Sequence, residues 1–395
     1  MKTMIVTVED VAAGGHCVAR VDNEVYFVRH ALPGETVRIE VRERKKRFAF
    51  ADAVEIIEAS PDRVEPPCPY AGPGKCGGCD FQHAAPEAQL RLKARVLFDQ
   101  LTRIGGVDPA RLEGLAVEAL PWPEGALGWR TRMQYAVDEA GRPGLRVHKS
   151  HELVHIDRCP IATERIRESD ILAKRWDGMG AVGVVDSNDD ELAVYTQLRR
   201  TARPHHKSGP KLVHQQVGDK KFAIDFDGFW QVHPAAAPTF LACALDFLDP
   251  REGESAWDLY AGAGVFAAGL AEAVGETGRV VAVESASASR TAPNLAAWKN
   301  AGAIEGDVAA IAPDLGSVDL VVLDPPRSGA GPEVVVALGE ARPRAICYIA
   351  CDAGALGRDA KDLAIEGYEL TRIRAFDAFP MTQHFETIAL FEPVD

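Results

Sequence analysis

The chain has 395 residues, 47% hydrophobic and 26% charged, a globular balance that excludes wholesale disorder and, at about 150 residues per domain, implies two or three domains. No run approaches the about 18 consecutive apolar residues of a membrane-crossing helix. The net charge of −14 excludes a generally basic nucleic-acid coat, and nearly all of it sits in residues 231–395, which hold 11 basic and 24 acidic side chains.

Residues 1–60 sum to −1 and residues 61–230 to zero, so a polyanionic partner is expected on the first 230 residues. The first ten residues lack a long apolar segment and a small-residue cleavage site. They read as a strand rather than a signal peptide, and a cytoplasmic location is the default. Short alternating strands are expected at 4–11, 25–28, 35–41 and 50–57, with turn signals at Gly14-Gly15 and Leu32-Pro33-Gly34. Several short strands in about 60 residues suggest a small OB-like barrel. The segment 42–48 is basic and ends in Phe48, which suits phosphates and base stacking, or equally a solvated hairpin tip.

Ser60-Pro61 and Pro66-Pro67 form a linker. Helical spacing of Leu90, Val96, Leu97 and Leu101 predicts a helix over 86–105. A strand-rich central region follows, with candidates at 133–137, 191–195 and 222–226; residues 170–220 carry the weakest pattern. From about 235, apolar strands at 255–260, 279–284, 318–324 and 345–351 alternate with helices. That alternation predicts a doubly wound, mostly parallel α/β sheet, giving an α/β multidomain chain divided as 1–60, 61–228 and 229–395. The helix at 86–105 is a candidate to pack on the last of these.

Four constellations carry chemistry. The turn from Asp258 through Tyr260 and Gly262 to Gly264 leaves a strand and opens a helix, where small residues let a ligand approach and a helix N-terminus favours negative charge. Glu284 ends the next strand, where a carboxylate accepts from a ribose diol, so a nucleoside-containing cofactor is expected. Asp258 at the head of the turn is more typical of S-adenosylmethionine sites than of nicotinamide sites. Asp324-Pro325-Pro326-Arg327 caps a strand at the edge where such sheets bind ligands. Cys351 ends another strand, ahead of a helix over 353–365 that Asp352 is placed to cap, while Cys347 reads as packing. A helix N-terminus is expected to lower the Cys351 thiol pKa, making it a nucleophile with Glu386 as general base. Finally, Cys68, Cys76, Cys79 and distant Cys159 supply four thiolates, suited to zinc or an iron–sulfur cluster, with Gly77-Gly78 permitting a tight turn.

Together these pieces resemble the TRAM-containing RNA uracil-5-methyltransferase family over nearly the whole chain. The resemblance implies a TRAM barrel for 1–60 and a Rossmann-like methyltransferase sheet after 229. It implies a [4Fe-4S] cluster on Cys68, Cys76, Cys79 and Cys159, with zinc as the alternative. Phe229-Trp230-Gln231-Val232-His233-Pro234 matches a motif whose glutamine contacts the cofactor, and Tyr260, Gly262, Glu284, Asp307 and Asp324 match the remaining cofactor and active-site positions. Ala350-Cys351-Asp352 and His384-Phe385-Glu386 match the nucleophile and base motifs. The implied reaction moves a methyl group from S-adenosylmethionine to C5 of a uridine in rRNA or tRNA through a covalent Cys–C6 adduct, by a monomer.

The chain departs from the family pattern in three places. His233 stands where asparagine is usual, Ala350-Cys351-Asp352-Ala353 replaces Ser-Cys-Asn-Pro, and the first cysteine gap is two residues longer. These leave two other readings open: a methyltransferase for another base or a small molecule, and a catalytically degenerate RNA-binding protein.

Overall fold

The computed structural model describes residues 3–201, 203–286 and 290–394, so Met1 and Lys2 of the expected first strand lie outside the described residues. The N-terminal unit is a six-stranded sheet. Its spatial order is Thr3–Thr7, Thr36–Arg44, Phe48–Glu58, Glu24–Arg29, His16–Val21, Asp10–Ala12. Thr3–Thr7 forms one end of this order and Asp10–Ala12, just along the chain, forms the other. The joining residues bond both neighbours, Val8 N–H to Glu35 O at 2.9 Å and Glu9 N–H to Val18 O at 2.7 Å, which closes the sheet into a barrel. Val6, Val28, Val37, Ile39 and Ala51 fill it. The expected strand at 4–11 is thus two strands around a bend, and His16–Val21 is an element the sequence pattern did not single out.

The central region is a second six-stranded sheet, ordered Leu153–Val154, Pro143–Arg146, Arg132–Val137, Met179–Asp186, Leu192–Leu198, Pro204–Ser208, antiparallel throughout. Trp129, Tyr135, Val182 and Val184 form its core. Two further strands, Leu212–Val217 and Lys220–Asp225, make a hairpin that buries Val217, Phe222 and Ile224 in the core of the C-terminal sheet. Asn294 clamps this hairpin by bonding both the N–H and the C=O of Ala223, at 3.0 and 3.1 Å.

The C-terminal sheet has eight strands, in the order Ala301–Glu305, Arg279–Glu284, Ser255–Leu259, Leu320–Leu323, Ala345–Ala350, Glu386–Pro393, Tyr368–Asp377, Val117–Ala119. The first five are parallel, and Glu386–Pro393 runs antiparallel to both neighbours. Helices Ala236–Leu248 and Val265–Ala273 cover one face. Helices Pro332–Ala341, Ala353–Ile365 and Pro86–Arg103 cover the other. Leu97 and Leu101 of the last are fully buried in that layer. Val117–Ala119 joins the edge of this sheet from the middle of the chain. No described helix is long and apolar enough to cross a membrane.

Candidate active site and nucleic-acid face

The strand order reverses beside Ser255–Leu259, whose neighbours are Arg279–Glu284 and Leu320–Leu323. A doubly wound sheet opens a crevice at the carboxyl ends of the strands there. Tyr260 and Gly262 adopt left-handed φ of 62° and 53°, and a Cβ on Gly262 would meet nothing within 4 Å, so the turn is open above the crevice. Glu284 accepts from Gly262 N–H at 2.7 Å and from Ala286 N–H at 2.6 Å, which fixes its carboxylate at the mouth with lone pairs to spare. Thr291 and Asn294 hold the turn by donating to Gly262 O at 2.6 Å and Ala263 O at 3.0 Å.

Asp258 lies beneath the turn and is fully buried. One oxygen accepts from Ala267 N–H at 2.8 Å, and the other has no partner among the described residues. Burial first, then the charges of Asp324 and Glu284, push its carboxyl up to about 8. Tyr260 O–H donates to Ala330 O at 3.3 Å, and Ala330 N–H donates to Asp359 at 2.7 Å, so the loop after Asp324 is pinned to the Tyr260 turn. Asp307 caps the short helix Val308–Ile311, accepting from Ala309 N–H at 2.8 Å. Gln231 is half-buried in the segment before helix Ala236–Leu248, which Thr131 fixes by two bonds of 2.9 Å to Val232 O. No hydrogen bond joins the Gln231 side chain to the other candidate residues. Open space over Gly262, an orphaned carboxylate oxygen on Asp258 and the fixed Glu284 carboxylate together suit a nucleoside carrying a cationic group.

Cys351 directly follows Ala345–Ala350, and Ala350 pairs with Thr387, so the register sets Cys351 beside Glu386. Glu386 is buried, and its Oε2 has no hydrogen-bond partner among the described residues. Burial, then the charge of Asp324, push its carboxyl well above the ordinary range, and Arg327 opposes them. Asp324 itself is pushed up to about 7 by burial and by Glu284. Asp352 caps helix Ala353–Ile365 as expected, accepting from Ala355 N–H at 2.8 Å. The expected lowering of the Cys351 pKa is corrected. Burial first, then Glu386 and Asp324, push the thiol up to about 12, because nearby carboxylates and desolvation outweigh the helix terminus and Arg327. His233 is buried, stacked on Trp129 at 6.0 Å, kept neutral by burial at about 4, and accepts from Ala235 N–H at Nδ1. Its Nε2, which then carries the ring proton, is buried without a partner among the described residues, so this departure from asparagine leaves a buried donor unsatisfied. Arg132, which the sequence pattern did not single out, donates to Gly228 O beside that motif and leaves Nε and Nη2 buried without partners among the described residues.

Cys68, Cys76, Cys79 and Cys159 line one cavity of about 280 Å³. Burial pushes Cys76 and Cys79 upward, and Cys159 up to about 11, so these thiols need a cation to ionise. Gly77 is required by close approach rather than by a turn: a Cβ there would lie 2.5 Å from His148 N. Among the described residues no three His, Cys, Asp or Glu side chains are arranged to hold a single metal ion.

A groove of about 1440 Å³ crosses the central sheet, and its charged lining is Arg146, Lys149, Arg199 and Arg200 against Asp138 and Glu139, a net basic balance. It meets the barrel where Lys149 Nζ stands 4.6 Å from the Phe50 ring centroid. Phe27, Phe48 and Phe50 form an aromatic cluster there, all half-buried, with centroids 5.4–5.7 Å apart. In the basic hairpin tip, Arg42 pairs with Glu40 and Asp52, Arg44 with Glu24, and Lys45 with Glu43. Lys46 and Arg47 are exposed and have no ion-pair partner among the described residues.

This sheet order, with its acidic crevice at the reversal point, defines an S-adenosylmethionine-dependent methyltransferase fold, here joined to a small barrel. The TRAM domain family matches residues 1–54, and the tRNA (Uracil-5-)-methyltransferase family matches residues 309–393. The Protein-L-isoaspartate(D-aspartate) O-methyltransferase family matches residues 205–297, which include the Asp258–Gly264 turn. A protein described as an uncharacterized RNA methyltransferase from Streptomyces avermitilis is 42% identical, with 98% of each chain covered. RlmD of Alkalilimnicola ehrlichii, a 23S rRNA (uracil(1939)-C(5))-methyltransferase, is 32% identical over 96% of this chain and 94% of its own. The crystal structure of Pyrococcus abyssi tRNA (uracil-54, C5)-methyltransferase with S-adenosyl-L-homocysteine has the same fold, at a TM-score of 0.73, 22% identity, and 98% and 99% coverage. The chain belongs to the TRAM-containing RNA uracil-5-methyltransferase family and is an S-adenosylmethionine-dependent RNA methyltransferase.

Proposed function

We propose that this chain methylates C5 of a uridine in structured RNA, as a cytoplasmic monomer, with Cys351 as nucleophile and Glu386 as base. The observation that carries this reading is the register that sets Cys351 beside Glu386, with Asp324 near both. Bound S-adenosylmethionine supplies an electrophilic methyl group, and Asp258, Tyr260, Gly262, Glu284, Asp307, Asp324 and Gln231 would hold it. Uracil C5 is a poor nucleophile. The Cys351 thiol gives up its proton to water, and attack of the resulting thiolate on C6 forms a C–S bond, breaks the C5–C6 π bond and moves electron density onto C5, which then accepts the methyl group. Glu386 removes the C5 proton, and the C–S bond breaks to release Cys351. The Glu386 carboxyl, raised by burial and Asp324, ionises more readily once a cation enters the crevice.

The target base must leave its stack to reach this site. The groove at Arg146, Lys149, Arg199 and Arg200 and the Phe27–Phe48–Phe50 cluster support phosphate and base contacts outside the acidic sheet. Cys68, Cys76, Cys79 and Cys159 would hold a [4Fe-4S] cluster, which would tie residues 68–79 to the segment carrying Cys159; anaerobic purification with iron and sulfide analysis tests this. The catalytic reading is tested by incubating the purified chain with S-adenosylmethionine and separate ribosomal and transfer RNA, then measuring nucleosides by mass spectrometry. The rRNA-acting relative makes ribosomal RNA the first pool to examine. 5-Methyluridine in one pool is the expected result. Its absence from both, with another methylated base present, would refute the uracil assignment.

A further inference from the structure

The base-bearing end of the chain is gripped by residues far from it in sequence. Asp80 directly follows Cys79 and is buried against a barrel turn, where a Cβ on Gly15 would come within 2.8 Å of its Cβ. Its Oδ1 accepts from Arg29 Nη2 of the barrel at 3.0 Å, and its Oδ2 accepts from Gln383 N–H at 3.1 Å. The main chain repeats the tie: Asp80 and Phe81 N–H both donate to Met381 O, at 3.0 and 2.9 Å. Met381 has a left-handed φ of 69°, a conformation that costs a non-glycine residue about 1–2 kcal/mol and needs holding in place. Helix Pro86–Arg103 adds two more holds, Gln89 Oε1 accepting from Met381 N–H at 2.9 Å and Lys93 Nζ reaching Asp377 at 2.6 Å. Glu386 lies three residues beyond Gln383.

We infer that Asp80 is a positioning residue for Glu386, locking the base-bearing segment to the barrel through one carboxylate that two donors share. The inference rests on the reading of Glu386 as the base. A carboxylate can accept from both Arg29 and Gln383, because neither oxygen carries a hydrogen. An amide of the same shape cannot: turning its oxygen to either donor turns its NH₂ against the other. Asp80→Asn therefore frees the Gln383 segment, or the barrel side, without changing volume.

The test compares wild type, Asp80→Asn and Glu386→Gln in steady-state methylation and in denaturing gels for covalent protein–RNA adduct. Loss of Glu386 placement should lower kcat of Asp80→Asn by about tenfold to a hundredfold. The KM values for S-adenosylmethionine and RNA should stay within about twofold, and adduct should accumulate as it does in Glu386→Gln. General destabilisation would lower the melting temperature and the active fraction but would not enrich the adduct. A folded Asp80→Asn with wild-type kcat and no adduct overturns the inference. So does a defect confined to the RNA KM, which would make Asp80 a docking residue. If Glu386→Gln itself forms no adduct, the base assignment fails instead. Hydrogen exchange on the wild-type chain gives a test independent of any variant: the Gln383 amide should exchange at least about a hundredfold more slowly than an open loop. Fast exchange at that amide overturns the tie.

Discussion

Alkylation of Cys351 by iodoacetamide, read peptide by peptide in a mass spectrometer, probes the site's electrostatics directly. The thiol is pushed up to about 12 by burial, Glu386 and Asp324. At pH 8 its thiolate fraction is then about 10⁻⁴, against about a quarter for a free cysteine of pKa about 8.5. A more basic thiolate is also a better nucleophile, with a Brønsted slope of about 0.4–0.5, which recovers about fortyfold over 3.5 pKa units. The first effect wins, and Cys351 should react about fifty- to a hundredfold more slowly than free cysteine. The rate should climb about tenfold per pH unit through pH 10. Glu386→Gln removes the largest charge acting on the thiol, so alkylation at a given pH should accelerate in that variant. A rate equal to free cysteine at pH 8, or a plateau by pH 9, would refute the reasoning. It would mean that the helix terminus at Asp352 dominates after all.

Four further outcomes follow from the same geometry. S-Adenosylmethionine should bind about tenfold more tightly at pH 8 than at pH 6 by calorimetry, because Asp324, raised to about 7, gains its charge across that range, whereas S-adenosylhomocysteine, lacking the sulfonium, should show a shallower slope. Gly262→Ala should cost about 1–2 kcal/mol of strain at φ 53° and also fill the open crevice, so cofactor affinity should fall more than the urea midpoint does. Lys93→Met leaves Asp377 buried and unpaired, at a cost of about 3–5 kcal/mol in urea unfolding, and Lys93→Met with Asp377→Leu should recover most of it. Replacing Arg199 and Arg200 by alanine should weaken RNA binding across sequences and reduce the slope of log affinity against log salt by about 1.5–2, measured by filter binding between 50 and 200 mM salt.

The parallel strands of the C-terminal sheet were legible because each is a short apolar run buried on both faces, as in Leu320–Leu323 and Ala345–Ala350. The helix starting at Pro86 and the Asp352 cap were legible from proline and apolar spacing and from a capping side chain. Apart from the strand expected at 191–195, which is observed as Leu192–Leu198, residues 170–220 were not, and Pro204–Ser208 shows why: an edge strand of Pro-His-His-Lys-Ser has no buried face to impose alternation. His16–Val21 escaped because four consecutive positions are buried, which hides a period of two. In the site, residue types and order were readable, but ionisation was not. The Cys351 environment depends on Glu386 and Asp324 arriving from strands 35 residues later and 27 residues earlier, and burial is a property of the assembled sheet. The Asp80 tie was invisible for the same reason, since its partners lie 51 and 303 residues away.

The charge division between the two ends of the chain has a physical logic once the site is in place. An acidic crevice attracts a cationic cofactor and raises its own carboxyls until that cation arrives. The same field repels an RNA backbone, so a polyanion cannot be held where the chemistry occurs. A uracil base is neutral, however, and one flipped base can enter the crevice while its phosphates remain on the groove of Arg146, Lys149, Arg199 and Arg200. At physiological salt the Debye length is about 8 Å, so a basic groove and an acidic crevice coexist wherever more than that distance separates them. The two binding events should then respond differently to salt. RNA affinity should fall steeply between 50 and 200 mM, because it releases counterions, while cofactor affinity should change little, because its partners are buried carboxylates shielded from the ionic atmosphere. A cofactor affinity falling in step with RNA affinity would show that the crevice is electrostatically open to solvent, and the raised carboxyls at Asp258 and Asp324 would lose their explanation.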